Sequence, residues 1–139
     1  MLQTIKLSWM PIFCAVQFGN ISTFKELKKH HSNFLTLRDI RHWTLLHLAV
    51  NAKRLELMAL LIELGADPHA RSLAVNYLVP DDLKGFSSTP GDIACLRGAE
   101  VLSVFVDTLR RNGHELEVVR DPIENVAEVF WPTTGKEAT

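Results

Sequence analysis

Residues 39–71, DIRHWTLLHLAVNAKRLELMALLIELGADPHAR, decide how this chain folds. Thr44 stands before a run of helix formers, and its hydroxyl can accept a backbone N–H two or three residues on, as an N-cap does. His47 falls at the third helical position, where its imidazole can tie the turn back to the preceding loop. Leu46, Leu48, Ala49 and Val50 predict a short, mostly apolar helix, which Lys53 and Arg54 interrupt. A second helix is expected from Leu55. Its Leu57, Leu60, Leu61 and Leu64 follow the i, i+3, i+4, i+7 pattern of one buried stripe. Gly65 follows the last apolar position as a left-handed C-cap would. Pro68 closes the unit because it cannot continue a helix.

Two short antiparallel helices bury little by themselves, so the unit needs stacked neighbours. Thr44-Leu45-Leu46-His47-Leu48-Ala49 resembles the T-P-L-H-x-A signature of ankyrin repeats, with Leu45 in place of Pro. Leu64-Gly65-Ala66-Asp67-Pro68 resembles that family's exit from helix to hairpin. The stretch is 33 residues long, the ankyrin period.

The flanks read as worn copies. Displaced back by 34 residues, Met10-Pro11-Ile12-Phe13-Cys14-Ala15 falls on Thr44 to Ala49, and Gly19 falls on Lys53. A second helix follows from about Ile21 to His30, with Ile21, Phe24 and Leu27 as a thin apolar stripe suited to an end repeat. Lys25, Lys28 and Lys29 cover the rest, as a solvated face or as a site for an acidic partner. Displaced forward by 45 residues, Thr89 to Ala94 falls on Thr44 to Ala49, and Leu102, Phe105, Val106 and Leu109 fall on the central stripe. Thr89, Pro90 and Asp92 make a capping-box-like start. Asp92 replaces the family's His, which puts the imidazole link in doubt here. With Arg110 in place of Gly65, the last helix can continue to Asn112 and stop at Gly113.

An offset of 45 exceeds the 33-residue period by 12 residues. The surplus lies in residues 72–87, in the hairpin or finger region of the family. It carries Tyr77 and also Leu78, Val79, Leu83 and Phe86, around the turn formers Pro80-Asp81-Asp82 and Gly85. So long a loop is usually functional or disordered, and its apolar content argues against plain disorder. It can equally fold back over the edge of the stack. Further on, Asp121-Pro122-Ile123-Glu124 starts another helix, with Ile123, Val126, Ala127 and Phe130 as its stripe.

The expected architecture is all-α. It is an ankyrin-repeat solenoid of stacked helix-turn-helix units with repeats at about 5–38, 39–71 and 84–114. A long finger loop spans 72–87, a C-terminal capping helix 121–131 and a flexible tail 133–139, with 1–132 as one domain. Met1 and the closing helix favour a self-standing chain over the ankyrin segment of a larger multidomain regulatory protein.

Composition excludes several functions. The chain has 139 residues, 47% of them apolar, and its 15 basic and 16 acidic residues leave a net charge of −1. General nucleic-acid or membrane-surface binding would want a basic excess. No run reaches the ~20 apolar residues of a membrane span. Leu7 to Val16 is too broken by Pro11, and too poor in small residues after it, for a signal peptide. Two cysteines, Cys14 and Cys95, fall two repeats apart and are too few for a disulfide framework. They fit a reducing, intracellular compartment, cytoplasmic or nuclear.

Catalytic patterns are missing: the sequence has no phosphate loop, GxSxG elbow, HExxH or CxxC. Cys14 and His47 are a nominal nucleophile–base pair, but both sit at repeat-structural positions and a buried Cys is usually inert. His30-His31 and Asp81-Asp82 are incomplete metal sets. No enzyme activity, cofactor or metal is expected. A small enzyme or ligand binder built on the insertion 72–87, beside Tyr77 and Asp82, is the minor alternative.

The family resemblance implies protein–protein recognition, as an adaptor or scaffold, through the hairpin tips and the exposed face of the first helices. Carried over position by position, it implies Trp9, Phe18, Arg41, Trp43, Asn51, Tyr77, Phe86 and Arg97 as partner-binding residues. Trp9 and Trp43 occupy the same position in adjacent repeats. They are expected to form an exposed aromatic strip, the alternative being that the indoles pack on each other or on the insertion. Trp and Arg are enriched in binding hot spots. The partner is another protein, not nucleic acid or membrane, and self-association through the aromatics stays open.

Overall fold

In a computed structural model of the chain, residues 11–114 are described. They form three antiparallel helix pairs: α1 (11–17) with α2 (Ile21–Lys28), α3 (Leu45–Asn51) with α4 (Leu55–Glu63), and α5 (Pro90–Arg97) with α6 (Ala99–Arg111). α3 packs on both α4 and α5, and α6 on both α4 and α5. The pairs are therefore successive layers of one all-α solenoid, and one apolar core runs from Ile12 through Leu46, Leu61 and Ile93 to Leu109.

Local chemistry sets the helix ends. Thr44 and His47, and again Thr89 and Asp92, close reciprocal capping boxes at the starts of α3 and α5. α4 ends in a Schellman motif: the Gly65 N–H reaches the Ile62 carbonyl at 3.0 Å and the Ala66 N–H reaches Leu61 at 2.9 Å. α6 stops at Gly113 in the same way, after a C-cap at Asn112. Within each pair the reversal uses a positive φ: Gly19 at 73°, Lys53 at 59° and Gly98 at 122°. Lys53 fills with a side chain the place that its two counterparts leave to glycine.

The buried stripes differ from the expected ones by a rotation. In α4 the core takes Leu57, Met58, Leu61 and Ile62, while Leu60 is half-buried and Leu64 exposed. α4 lies between α3 and α6, so its covered face spans two adjacent ridges rather than one. In α6 the core takes Val101, Phe105, Thr108 and Leu109, with Leu102 and Val106 half-buried. Three residues link α3 to α4, but Gly98 alone links α5 to α6. The missing residues start α6 one position early, at an offset of 44 from α4, which turns its face by about 100°. In α2, Phe24 is buried and meets the Phe34 ring edge-on at 5.9 Å. Ile21 and Leu27 are half-buried. Cys14 is exposed on α1, against the expectation of a buried thiol. Trp9 and the expected capping helix 121–131 lie outside the described residues.

Candidate functional site

Two fingers project from the helix pairs, residues 38–43 before α3 and residues 66–88 before α5. Asp39 builds the first. Its Oδ1 accepts the backbone N–H of Arg41 at 2.8 Å and of Trp43 at 3.0 Å, and its own N–H reaches the Trp43 carbonyl at 3.1 Å. An Asx turn of this kind replaces backbone pairing with a carboxylate. Oδ2 accepts from Arg41 Nε at 2.9 Å and from Arg41 Nη2. The third nitrogen, Nη1, donates to the Leu78 carbonyl of the second finger at 2.8 Å. The guanidinium lies 4.0 Å from the centroid of the Trp43 ring, a cation–π contact.

This assembly corrects the exposed-strip expectation for Trp43, which is 1% exposed. The Arg41 guanidinium lies on the indole, and the His47 imidazole is stacked with it, 6.0 Å away and within 17° of parallel. Covering so large an apolar ring stabilises the finger more than presenting it to water would. Trp43 therefore supports the surface from beneath.

His47 joins the layers. Its Nδ1 faces the Thr44 N–H at 3.1 Å, which can only donate, and its Nε2 faces the Ser88 carbonyl at 2.8 Å, which can only accept. The ring is therefore neutral, with its proton on Nε2. Burial pushes its pKa down to about 4, against the opposing pull of the Ser88 carbonyl. The ring thus ties the turn back to Thr44, where the preceding finger ends, and also reaches forward to the loop before α5. Asp92, its counterpart in the third pair, accepts the Thr89 N–H at 3.0 Å within its own turn.

The insertion folds as a closed hairpin-like loop. The Ser72 N–H reaches the Ser88 carbonyl at 2.9 Å, the Ser88 N–H reaches Ser72 Oγ at 2.8 Å, and Gly85 N–H reaches the Val75 carbonyl at 2.8 Å. Leu83 is buried in the core and Val79 packs against it. The loop thus covers the stack edge and also presents a surface. Tyr77 is 53% exposed, Leu78 65% and Phe86 62%, with Leu73 and Ile40 also exposed. Leu78 holds φ at 58°, a left-handed conformation that a leucine rarely adopts.

The remaining expected residues separate into two groups. Phe18, at the end of α1, is 72% exposed. Asn51 and Arg97 are drawn together: Arg97 Nε donates to Asn51 Oδ1 at 2.9 Å. Its two terminal nitrogens fork onto Asp82 of the insertion at 2.8 and 2.7 Å. The Arg97 guanidinium holds the Asp82 carboxyl below the usual carboxylate range. Asp82 is thereby a strut of the loop rather than a free group beside Tyr77. Asp39, Leu73 and Leu78 were missed as site residues. The D-x-R-x-W spacing is a legible Asx-turn signal for Asp39, but nothing local marks Leu78 for positive φ.

Cys95 is desolvated beside Asp92, which pushes its thiol up to about 12 and leaves it unreactive. Among the described residues no cluster of His, Cys, Asp and Glu could hold a metal ion, and no helix is long and apolar enough to cross a membrane.

A family model for ankyrin repeats in three copies matches residues 2–72, just over half of the chain. The match ends at the first residue of the insertion, where the regular period is broken. No curated protein matches the chain. Ankyrin repeats generally serve as protein–protein interaction modules and are typically non-catalytic. By this match and by its stacked, capped helix pairs, the chain belongs to the ankyrin repeat family.

Proposed function

We propose that the chain recognises a partner protein through its second finger, with Ile40 of the first finger beside it, and carries no catalytic activity. One observation supports this most. Leu78 is an exposed aliphatic residue in a strained backbone conformation, and its carbonyl is held in place by Arg41. A left-handed leucine costs roughly 1–2 kcal/mol. Strain of this kind persists where surrounding structure enforces it, and it concentrates at binding sites. Tyr77, Phe86 and Leu73 supply further exposed apolar area in the same loop. Two free thiols, one of them exposed, fit a reducing intracellular compartment.

The test is capture by the full-length chain, with mass spectrometry of what is bound, set beside a Tyr77→Ser/Leu78→Ser variant. Both side chains are exposed, so helical circular dichroism should be unchanged while the specific partner is lost. Equal capture by the two chains would remove the finger from the recognition surface.

A further inference from the structure

Three of the four acids in the two fingers, residues 38–43 and 66–88, have a cation: Asp39 has Arg41, Asp81 has Lys84 at 3.1 Å, and Asp82 has Arg97, while Asp67 has none within ion-pair distance. Two arginines, Arg38 and Arg71, have no carboxylate partner. Arg38 Nη1 donates to the carbonyls of His42 at 3.0 Å and Arg71 at 2.7 Å, and Arg71 Nη1 donates to the Ser87 carbonyl at 3.1 Å. Asp67, at the root of the second finger, receives the His69 N–H at 2.9 Å. Carbonyl partners orient a guanidinium without neutralising it. Both arginines are exposed, and the Arg38–Arg71 bond makes them neighbours.

These two charges adjoin exposed apolar residues at the base of the loop. Leu73 lies two residues from Arg71 and bonds through its N–H to the Arg41 carbonyl at 2.9 Å, next to Ile40. Phe86 precedes Ser87, the residue that Arg71 holds. Leu73 and Phe86, two of the five exposed apolar side chains, are thus bordered by two oriented guanidiniums that lack a carboxylate partner, in a chain whose net charge is −1. Arginine forks match carboxylates, with five donors in a rigid plane.

We infer that this finger surface takes an acidic, apolar peptide segment of a partner protein: large apolar side chains lie against Leu73, Leu78 and Phe86, and an Asp or Glu beside them pairs with Arg38 and Arg71. The inference rests on the finger being the recognition surface and adds the chemistry of what it recognises. Charge complementarity makes such a complex salt-sensitive and selects against basic segments.

The probe is a displayed library of random dodecapeptides, panned on the full-length chain. The consensus peptide is then synthesised and titrated. Enrichment of Leu or Phe next to Asp or Glu is expected. Arg71→Gln and Arg38→Gln should each weaken binding about 5- to 10-fold, and Arg71→Lys, which keeps the charge, less than about 3-fold. Thermal melts of each variant separate lost binding from lost folding. Consensus peptides without acids, or binding indifferent to both Gln variants yet lost in Leu78→Ser, overturn the acidic chemistry and leave the finger as the site. Binding that survives Tyr77→Ser/Leu78→Ser, or a library that yields no binder, overturns the finger surface itself.

Discussion

Arg41 Nη1 donates to the carbonyl of Leu78 at 2.8 Å across 37 residues of sequence. The same guanidinium grips Asp39 and covers Trp43. One side chain therefore ties the turn of the first finger to the tip of the second. Removing it leaves the Asp39 carboxylate, largely buried, without a cation. Arg41→Ala should cost roughly 2–4 kcal/mol. Amide exchange of residues 76–80 should accelerate well before the helices exchange. Arg41→Lys should recover only part of the loss, because an ammonium cannot reproduce the fork. Denaturant melts with amide-resolved exchange check both; unchanged exchange at the tip would show that the bond does not hold the finger.

His47 makes the stack sensitive to acid. Its folded pKa is depressed to about 4, below the ordinary 6.5. Between these values the unfolded chain binds the extra proton and the folded chain does not. Stability is therefore full above pH 6.5 and falls as the pH drops towards 4. The loss from this residue should be roughly 2 kcal/mol by pH 5. Urea melts at pH 7 and pH 5 measure it. His47→Gln should be less stable at pH 7 and should lack most of the slope.

Arg97, Asp82 and Asn51 hold the insertion to the ends of α3 and α5. Asp82 is partly exposed, so Asp82→Ala should cost less than about 1 kcal/mol. Arg97→Ala should cost more, because it releases Asn51 as well. A double-mutant cycle on 82 and 97 should give a coupling of roughly 0.5–1 kcal/mol, shrinking in high salt. The Asp82 carboxyl titrates below its ordinary range in the folded chain, so the pair persists above that range and is lost only in stronger acid.

Lys53 holds φ at 59° where Gly19 and Gly98 stand in the other pairs. Relief of that strain outweighs the added freedom of the unfolded chain, so Lys53→Gly should stabilise by roughly 0.5–1 kcal/mol. Gly19→Ala should destabilise by more than about 1 kcal/mol. A Cβ there would also stand 3.0 Å from Arg54 Cδ, whose Nε is bonded to the Gln17 carbonyl. Melting temperatures of the two variants should move in opposite directions; a shift of the same sign would refute the equivalence of these positions.

The sequence by itself determined the helix pairs and most of their ends. Caps, C′ glycines and apolar periodicity act within four residues of one another, so Thr44, Thr89, Gly65 and Gly113 declare themselves without knowledge of the fold. The tertiary structure alone decided which faces are buried and which polar side chains are free. Gly98 as the sole link turns α6 by one residue, and its covered face follows from how it meets α4. Trp43 looked like an exposed anchor because its cover comes from Arg41 and His47 once the turn has closed. Asn51 and Arg97 looked free because Asp82, which engages Arg97, arrives on an insertion with no counterpart in the repeat. Burial and ion pairing depend on distances between segments, and those exist only after the layers have stacked.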